Sequence, residues 1–111
     1  MISILLSGTQ LRKSTISANK IVRAFFEEGS LFNYNQISPG QKVILPCRIL
    51  SEYDSVETEG SFLIPARRGD TQPEPRFWIY RLNQFAQEGD SLQLSISDGV
   101  LIAEINLINL S

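Results

Sequence analysis

A chain of 111 residues that is 42% hydrophobic and 20% charged is sized for one domain with one core, since domains commonly hold about 100–150 residues. Ten Lys plus Arg stand against twelve Asp plus Glu, a formal charge of −2; this excludes a protein drawn to polyanions by its net field, though not one with a local basic surface. There is no His and a single Cys, which removes the commonest general base and metal ligand, an internal disulfide and any thiolate zinc cluster.

The apolar patch Ile2–Leu6 stops after five residues. It is shorter than the roughly 7–15 residue core of a secretory signal and predicts a first strand. No stretch approaches the roughly 18 apolar residues that span a bilayer, so no membrane partner is expected, and a lone thiol fits a reducing cytoplasm. Gly8 to Lys13 reads as a polar loop ending in two adjacent cations, and Ser14 to Ser17 as a short strand. Ser17 is the expected N-cap of a helix. Ala18, Ile21, Val22, Phe25 and Phe26 then recur at i, i+3, i+4, i+7 and i+8, the spacing of one apolar helical stripe, with Gly29 as a stop.

Asn33 to Gly40 is rich in turn residues and ends in Pro39-Gly40. Lys42 to Leu50 alternates, with Val43, Leu45, Cys47 and Ile49 on one face and Lys42, Ile44, Pro46 and Arg48 on the other. Period two is a strand with one face on a core, and Pro46 marks an edge or a bulge. Glu52, Asp54, Glu57 and Glu59 read as an acidic turn region, and Gly60 to Arg67 alternates again through Phe62, Ile64 and Ala66. Residues 67–75, RRGDTQPEP, are a loop by composition. A strand resumes over Arg76–Arg81, with Phe77 and Trp78 on opposite faces, and Asn83 to Glu88 makes one short helical turn. Gly89-Asp90 opens another strand, Asp98-Gly99 is a two-residue hairpin signal, and Val100 to Leu107 closes the chain. The sum is a mainly β chain with two short helices and about seven closely spaced strands, which favours a small open barrel over a βαβ sheet.

No catalytic constellation stands out. Nucleophilic catalysis needs a nucleophile and a base, and Cys47, on the apolar face of its strand, reads as a small buried hydrophobe. The acids of 52–59 are explained by a solvated turn, and Asp70 and Glu74 by the arginines around them. No glycine loop matches a phosphate cradle. Neither enzyme activity nor a cofactor or metal is expected. The cations are more informative. Arg12 and Lys13 occupy the first long loop, Lys20 and Arg23 the helix after it, and Arg67, Arg68 and Arg76 frame the second long loop. Two cation-bearing loops that also hold Thr, Gln or Asp predict one positive concavity suited to a phosphate backbone.

The order strand, basic loop, short strand, helix, two strands, basic loop, strand, short helix, two strands resembles the DNA-binding pseudobarrel. That fold is shared by the plant transcription-factor B-three domain and the effector domains of restriction enzymes such as EcoRII. The sharpest piece is FWIYRLNQFAQEGDSLQLSI, residues 77–96, with Phe85 and Gly89-Asp90 at the matching positions. EGSFLIPARRG is similar to the strand that runs into the second recognition arm, and LRKSTISANKIVRAFF to the first arm and the helix that plugs the barrel. The plant pattern has Trp where this chain has Leu82-Asn83, and the family commonly has Pro where this chain has Ser17-Ala18.

The resemblance implies a single domain over 1–111, a seven-stranded open pseudobarrel that grips the major groove of double-stranded DNA with two arms. Arg12, Lys13 and Ser14 would belong to one arm, and Arg67, Arg68, Thr71, Gln72 and Arg76 to the other. Arg reads guanine and Gln reads adenine by paired hydrogen bonds, while Lys13 and Lys20 would hold phosphates. A nuclease subunit is the protein partner such a module implies. The rival reading is a small phage- or plasmid-type protein-binding barrel that inhibits a host enzyme, anti-restriction or similar, its acids imitating phosphates.

Overall fold

The computed structural model describes residues 1–29, 37–52 and 54–106. Over these, seven strands form one sheet in the order β1-β6-β7-β3-β4-β5-β2: β1 (Ile2–Leu5), β2 (Ile16–Ser17), β3 (Lys42–Leu50), β4 (Ser55–Leu63), β5 (Arg76–Ile79), β6 (Ser91–Ser97) and β7 (Val100–Asn106). Neighbours are antiparallel, except that β3 and β7 run parallel. The sheet curls into an open half-barrel, so the mainly β, seven-stranded expectation holds. Val43, Leu45, Cys47 and Ile49 face inward as their spacing predicts, Val43 half-buried and the other three buried.

Three short helices accompany the sheet, one more than expected: α1 (Gly8–Lys13), α2 (Lys20–Glu28) and α3 (Leu82–Phe85). The segment expected as a basic loop is therefore helical up to Lys13. Its start is a reciprocal cap, in which the Gln10 backbone N–H donates to Ser7 Oγ at 3.1 Å and the Ser7 backbone N–H donates to Gln10 Oε1 at 2.8 Å. Two orphan donors of a first turn are satisfied at once. α1 ends at Ser14, which takes a left-handed conformation (φ 52°).

Helix α2 carries the core stripe. Val22, Phe25 and Phe26 are buried, while Ile21 of the same predicted stripe is 68% exposed. Its N-cap is Asn19, whose Oδ1 accepts from the Val22 N–H at 3.0 Å, and not Ser17, which is used in β2. The Phe26 ring sits edge-on to Phe62 of β4 and Phe77 of β5, with centroids 5.4 and 5.6 Å apart. Aromatic edge-to-face contacts of this kind lock the helix into the open side of the barrel. Gly29, at the C-cap, packs against the side chain of Ile96 on β6.

Other boundaries move for identifiable reasons. Glu57 and Glu59 belong to β4 and not to a turn, and before β4 starts the Ser51 N–H donates to the Asp54 carbonyl at 2.9 Å. β4 stops at Leu63, so Ile64 is buried beyond the strand and Ala66 is exposed. β5 stops at Ile79, and Arg81 is not in a strand but caps α3 with φ 70°. α3 itself is shorter than Asn83–Glu88 and starts earlier. Pro46 sits without a bulge opposite Glu59, and the parallel ladder to β7 begins only at Cys47. The first half of β3 is thus open on its β7 side, which is where a residue without an N–H is tolerated.

Two turns behave as read. Asp98 and Gly99 both have positive φ (52° and 77°) between the paired residues Ser97 and Val100, the geometry that makes Asp-Gly a hairpin signal. At Gly89-Asp90, the buried Asp90 carboxylate accepts from the Gln87 N–H at 2.8 Å while its carbonyl accepts from Leu6 at 2.9 Å. That turn ties the end of β1 to the start of β6. Of the expected Asn33–Gly40 turn, residues 33–36 lie outside the described residues, as does Leu107 at the expected end of β7.

Candidate nucleic-acid interface

The outer face of β3–β4–β5–β2 is laid out by register. Residues directly opposite in antiparallel strands share a face, which gives four rows across the strands. The first holds Ser17, Arg76, Leu63 and Lys42, and the second Trp78, Ser61 and Ile44. The third holds Glu59 and Pro46, with Tyr80 joined to it through a Tyr80 N–H to Glu59 carbonyl bond of 2.9 Å. The fourth is Arg48 opposite Glu57, paired at 2.9 Å. This last pair is solvent-exposed (45% and 82%), so it contributes little to stability.

A groove of about 330 Å³ runs over the middle rows, lined by Lys42, Ile44, Glu59, Ser61, Trp78 and Tyr80, and Ser14 closes it from the β2 side. Ile44 and Tyr80 are 55% and 68% exposed. The groove is not uniformly positive as the cation pattern predicted: Glu59 lines it with Lys42. The reason is local. β4 extends through the segment read as an acidic turn, and period two directs Glu57 and Glu59 to the outer face.

The two basic segments flank this face at opposite ends of β5. β2 runs antiparallel to β5 with Ile16 opposite Phe77 and Ser17 opposite Arg76. Ser14 therefore adjoins the Trp78–Tyr80 end, with Arg12 and Lys13 just before it in the last turn of α1. Cations at a helix C-terminus complement its dipole. The Arg12 guanidinium donates to Thr9 Oγ1 at 3.2 Å, and both Arg12 and Lys13 are exposed.

The second segment leads into Arg76 at the other end. Its tip is a tight turn in which Arg68 and Thr71 exchange backbone hydrogen bonds of 2.9 and 3.0 Å around Gly69-Asp70. Gly69 has φ 61° and Asp70 does not have positive φ, the pattern of a turn that calls for Gly at its first central position. Gln72 does not project freely: its Nε2 donates to the carbonyls of Pro65 (2.8 Å) and Pro73 (3.3 Å), bracing the two limbs together. Arg67, Arg68 and Thr71 are exposed. Lys20 opens α2, and two residues before it the Ala18 N–H donates to the Pro75 carbonyl at 2.7 Å, at the foot of the second segment.

No protein-family model, curated protein or solved structure matches this chain. Cys47 is 2% exposed and burial pushes its thiol up to about 12, so no thiolate is at hand near neutral pH. Among the described residues no group of three or more His, Cys, Asp or Glu side chains converges as a metal site, and no helix is long and apolar enough to cross a membrane. The groove residues Ile44, Ser61, Trp78 and Tyr80 escaped the sequence reading as site residues. Their signal was present: Arg76, Trp78 and Tyr80 alternate with the core residues Phe77 and Ile79, and so share the solvent face.

Proposed function

We propose that this protein is a double-stranded DNA-binding module whose two basic arms enter the major groove, in the manner of restriction-enzyme effector domains. The observation that carries the reading is spacing. The arms leave the two ends of β5, a four-residue strand whose end residues lie about 10 Å apart at roughly 3.3 Å per step. A major groove is about 12 Å wide, so both arms fit one groove, with Trp78 between them and Lys42 in the row of Arg76. Arg67 and Arg68 at the rigid hairpin are the base-reading candidates, and Lys13, Lys20 and Lys42 the phosphate contacts. Gln72 then serves the arm by bracing it. The module works in the cytoplasm without catalysis or cofactor of its own, and a nuclease subunit is the protein partner that would give it an effect within restriction–modification.

Titration of a fluorescein-labelled duplex at 50 and 200 mM salt tests it. Each phosphate contact adds about 0.9 to the slope of log affinity against log salt, so binding should weaken steeply. Joint replacement Arg67→Ala, Arg68→Ala should remove most of the sequence preference while leaving residual salt-dependent binding. A double variant that binds and discriminates like the parent removes the second arm from the interface.

A second reading, a protein-binding barrel that inhibits a host enzyme, draws on the apolar part of the same groove, where Ile44 and Tyr80 stand exposed beside the charged pair Lys42 and Glu59. A partner that copurifies from nuclease-treated host lysate, and is lost with Tyr80→Ala, would favour it.

A further inference from the structure

Glu59 is the residue of the outer face that a DNA-binding surface has most reason to avoid, and its position explains what it does there. The face carries two acids on β4, and they differ. Glu57 is spent on Arg48 at 2.9 Å, whereas among the described residues Glu59 makes no ion pair and lines the groove with Tyr80, Trp78 and Ser61. Lys42 and Arg76 share a row two rows away, about 13 Å along the strands at roughly 3.3 Å per residue. Lys42 nonetheless lines the same groove, and the nearer cation, Arg48 in the adjacent row, is paired with Glu57. Its neighbours in its own row, Pro46 and Tyr80, offer it no charge.

A carboxylate at the Tyr80 end of the groove, beside Ser14 of the first arm, repels a phosphate, but it accepts hydrogen bonds. The major-groove edge of a base pair presents donors of one kind only, the exocyclic amino groups of cytosine N4 and adenine N6. We infer that Glu59 is a specificity-determining residue, its carboxylate accepting a hydrogen bond from a base amino group in the groove, with Tyr80 and Trp78 packing beside that base. Phosphates are then kept to the arms and to the Lys42–Arg76 row, and the repulsion excludes registers that would bring the backbone over Glu59. Specificity commonly combines such an attractive and a repulsive element. The inference rests on the proposed DNA binding.

The test uses the intact protein, Glu59→Ala and Glu59→Gln, each selected against a randomised duplex library and then titrated with the parent's selected duplex. In a matched probe, the cytosine or adenine at each selected position is replaced in turn by its amino-less analogue, 2-pyrimidinone or purine. For the parent, one such replacement should weaken binding by about 5- to 150-fold, the range of one good base contact. For Glu59→Ala the same replacement should change affinity less than about twofold, while its affinity for unselected duplex rises because the repulsion is gone. Glu59→Gln, which can also donate, should select a different base at that position and leave the others as in the parent. If both variants select the parent's sequence unchanged, Glu59 does not read a base, and DNA binding by the arms still stands. If the parent binds no duplex, the proposed function falls and this inference with it.

Discussion

The two faces of β3, β4 and β5 are made of the same strands and obey opposite rules. On the inner face Leu45, Cys47, Ile49, Phe62, Phe77 and Ile79 are at most 3% exposed. On the outer face, one residue along, stand Ile44, Arg48, Glu59, Arg76 and Tyr80, all exposed. Core packing and the proposed recognition are thus separated by a single step along the backbone, and substitutions can address one without the other. Phe77 and Trp78 are the closest such pair.

The largest expected effect lies on the inner face. Phe77→Ala removes a ring stacked edge-on to Phe26 and should cost about 3–5 kcal/mol, read as a lower urea midpoint. Trp78→Ala, half-buried on the other face, should cost much less and instead weaken duplex binding. Equal losses of stability from both would break the separation of the faces.

A smaller effect sharpens the inner-face account through pH. The Cys47 thiol ionises at about 12 in the folded chain against an ordinary 9.0. Between those values the unfolded chain releases a proton that the folded chain keeps, so stability falls as pH rises above about 9. The slope relative to Cys47→Ala approaches about 1.4 kcal/mol per pH unit. Urea unfolding of parent and variant at pH 8 and 10.5 measures it, and parallel pH dependences would mean that the thiol is not isolated from water. The smallest effect concerns the first arm. Ser7→Ala breaks the reciprocal cap of α1 and should cost about 1 kcal/mol, with faster amide exchange over 8–13 and no change in the core.

Much of the fold was legible because burial imposes periodicity. The alternation of Val43, Leu45, Cys47 and Ile49, the stripe Val22–Phe25–Phe26 and the Asp98-Gly99 turn all carry their structure in local chemistry. α1 was legible too, in Ser7 and Gln10 three apart, but a short polar helix with no buried residue lacks the apolar stripe by which helices are recognised. The length of β4 was harder to read. Its first half, Ser55–Glu59, is polar outside and thinly apolar inside (Val56, Thr58), and it is a strand because it pairs with β3 along its whole length.

By itself the sequence determined a single-core, mainly β chain, its inward-facing residues, and the identity of the cations in two segments. Those properties follow from periodicity and turn stereochemistry, which act over a few neighbouring residues. Only the tertiary structure decided that the two basic segments flank one stretch of sheet, that Gln72 is a brace, and that Glu59 lines the groove beside Tyr80. Each of these depends on which strand lies beside which, and strand partnership is settled by contacts between residues dozens of positions apart.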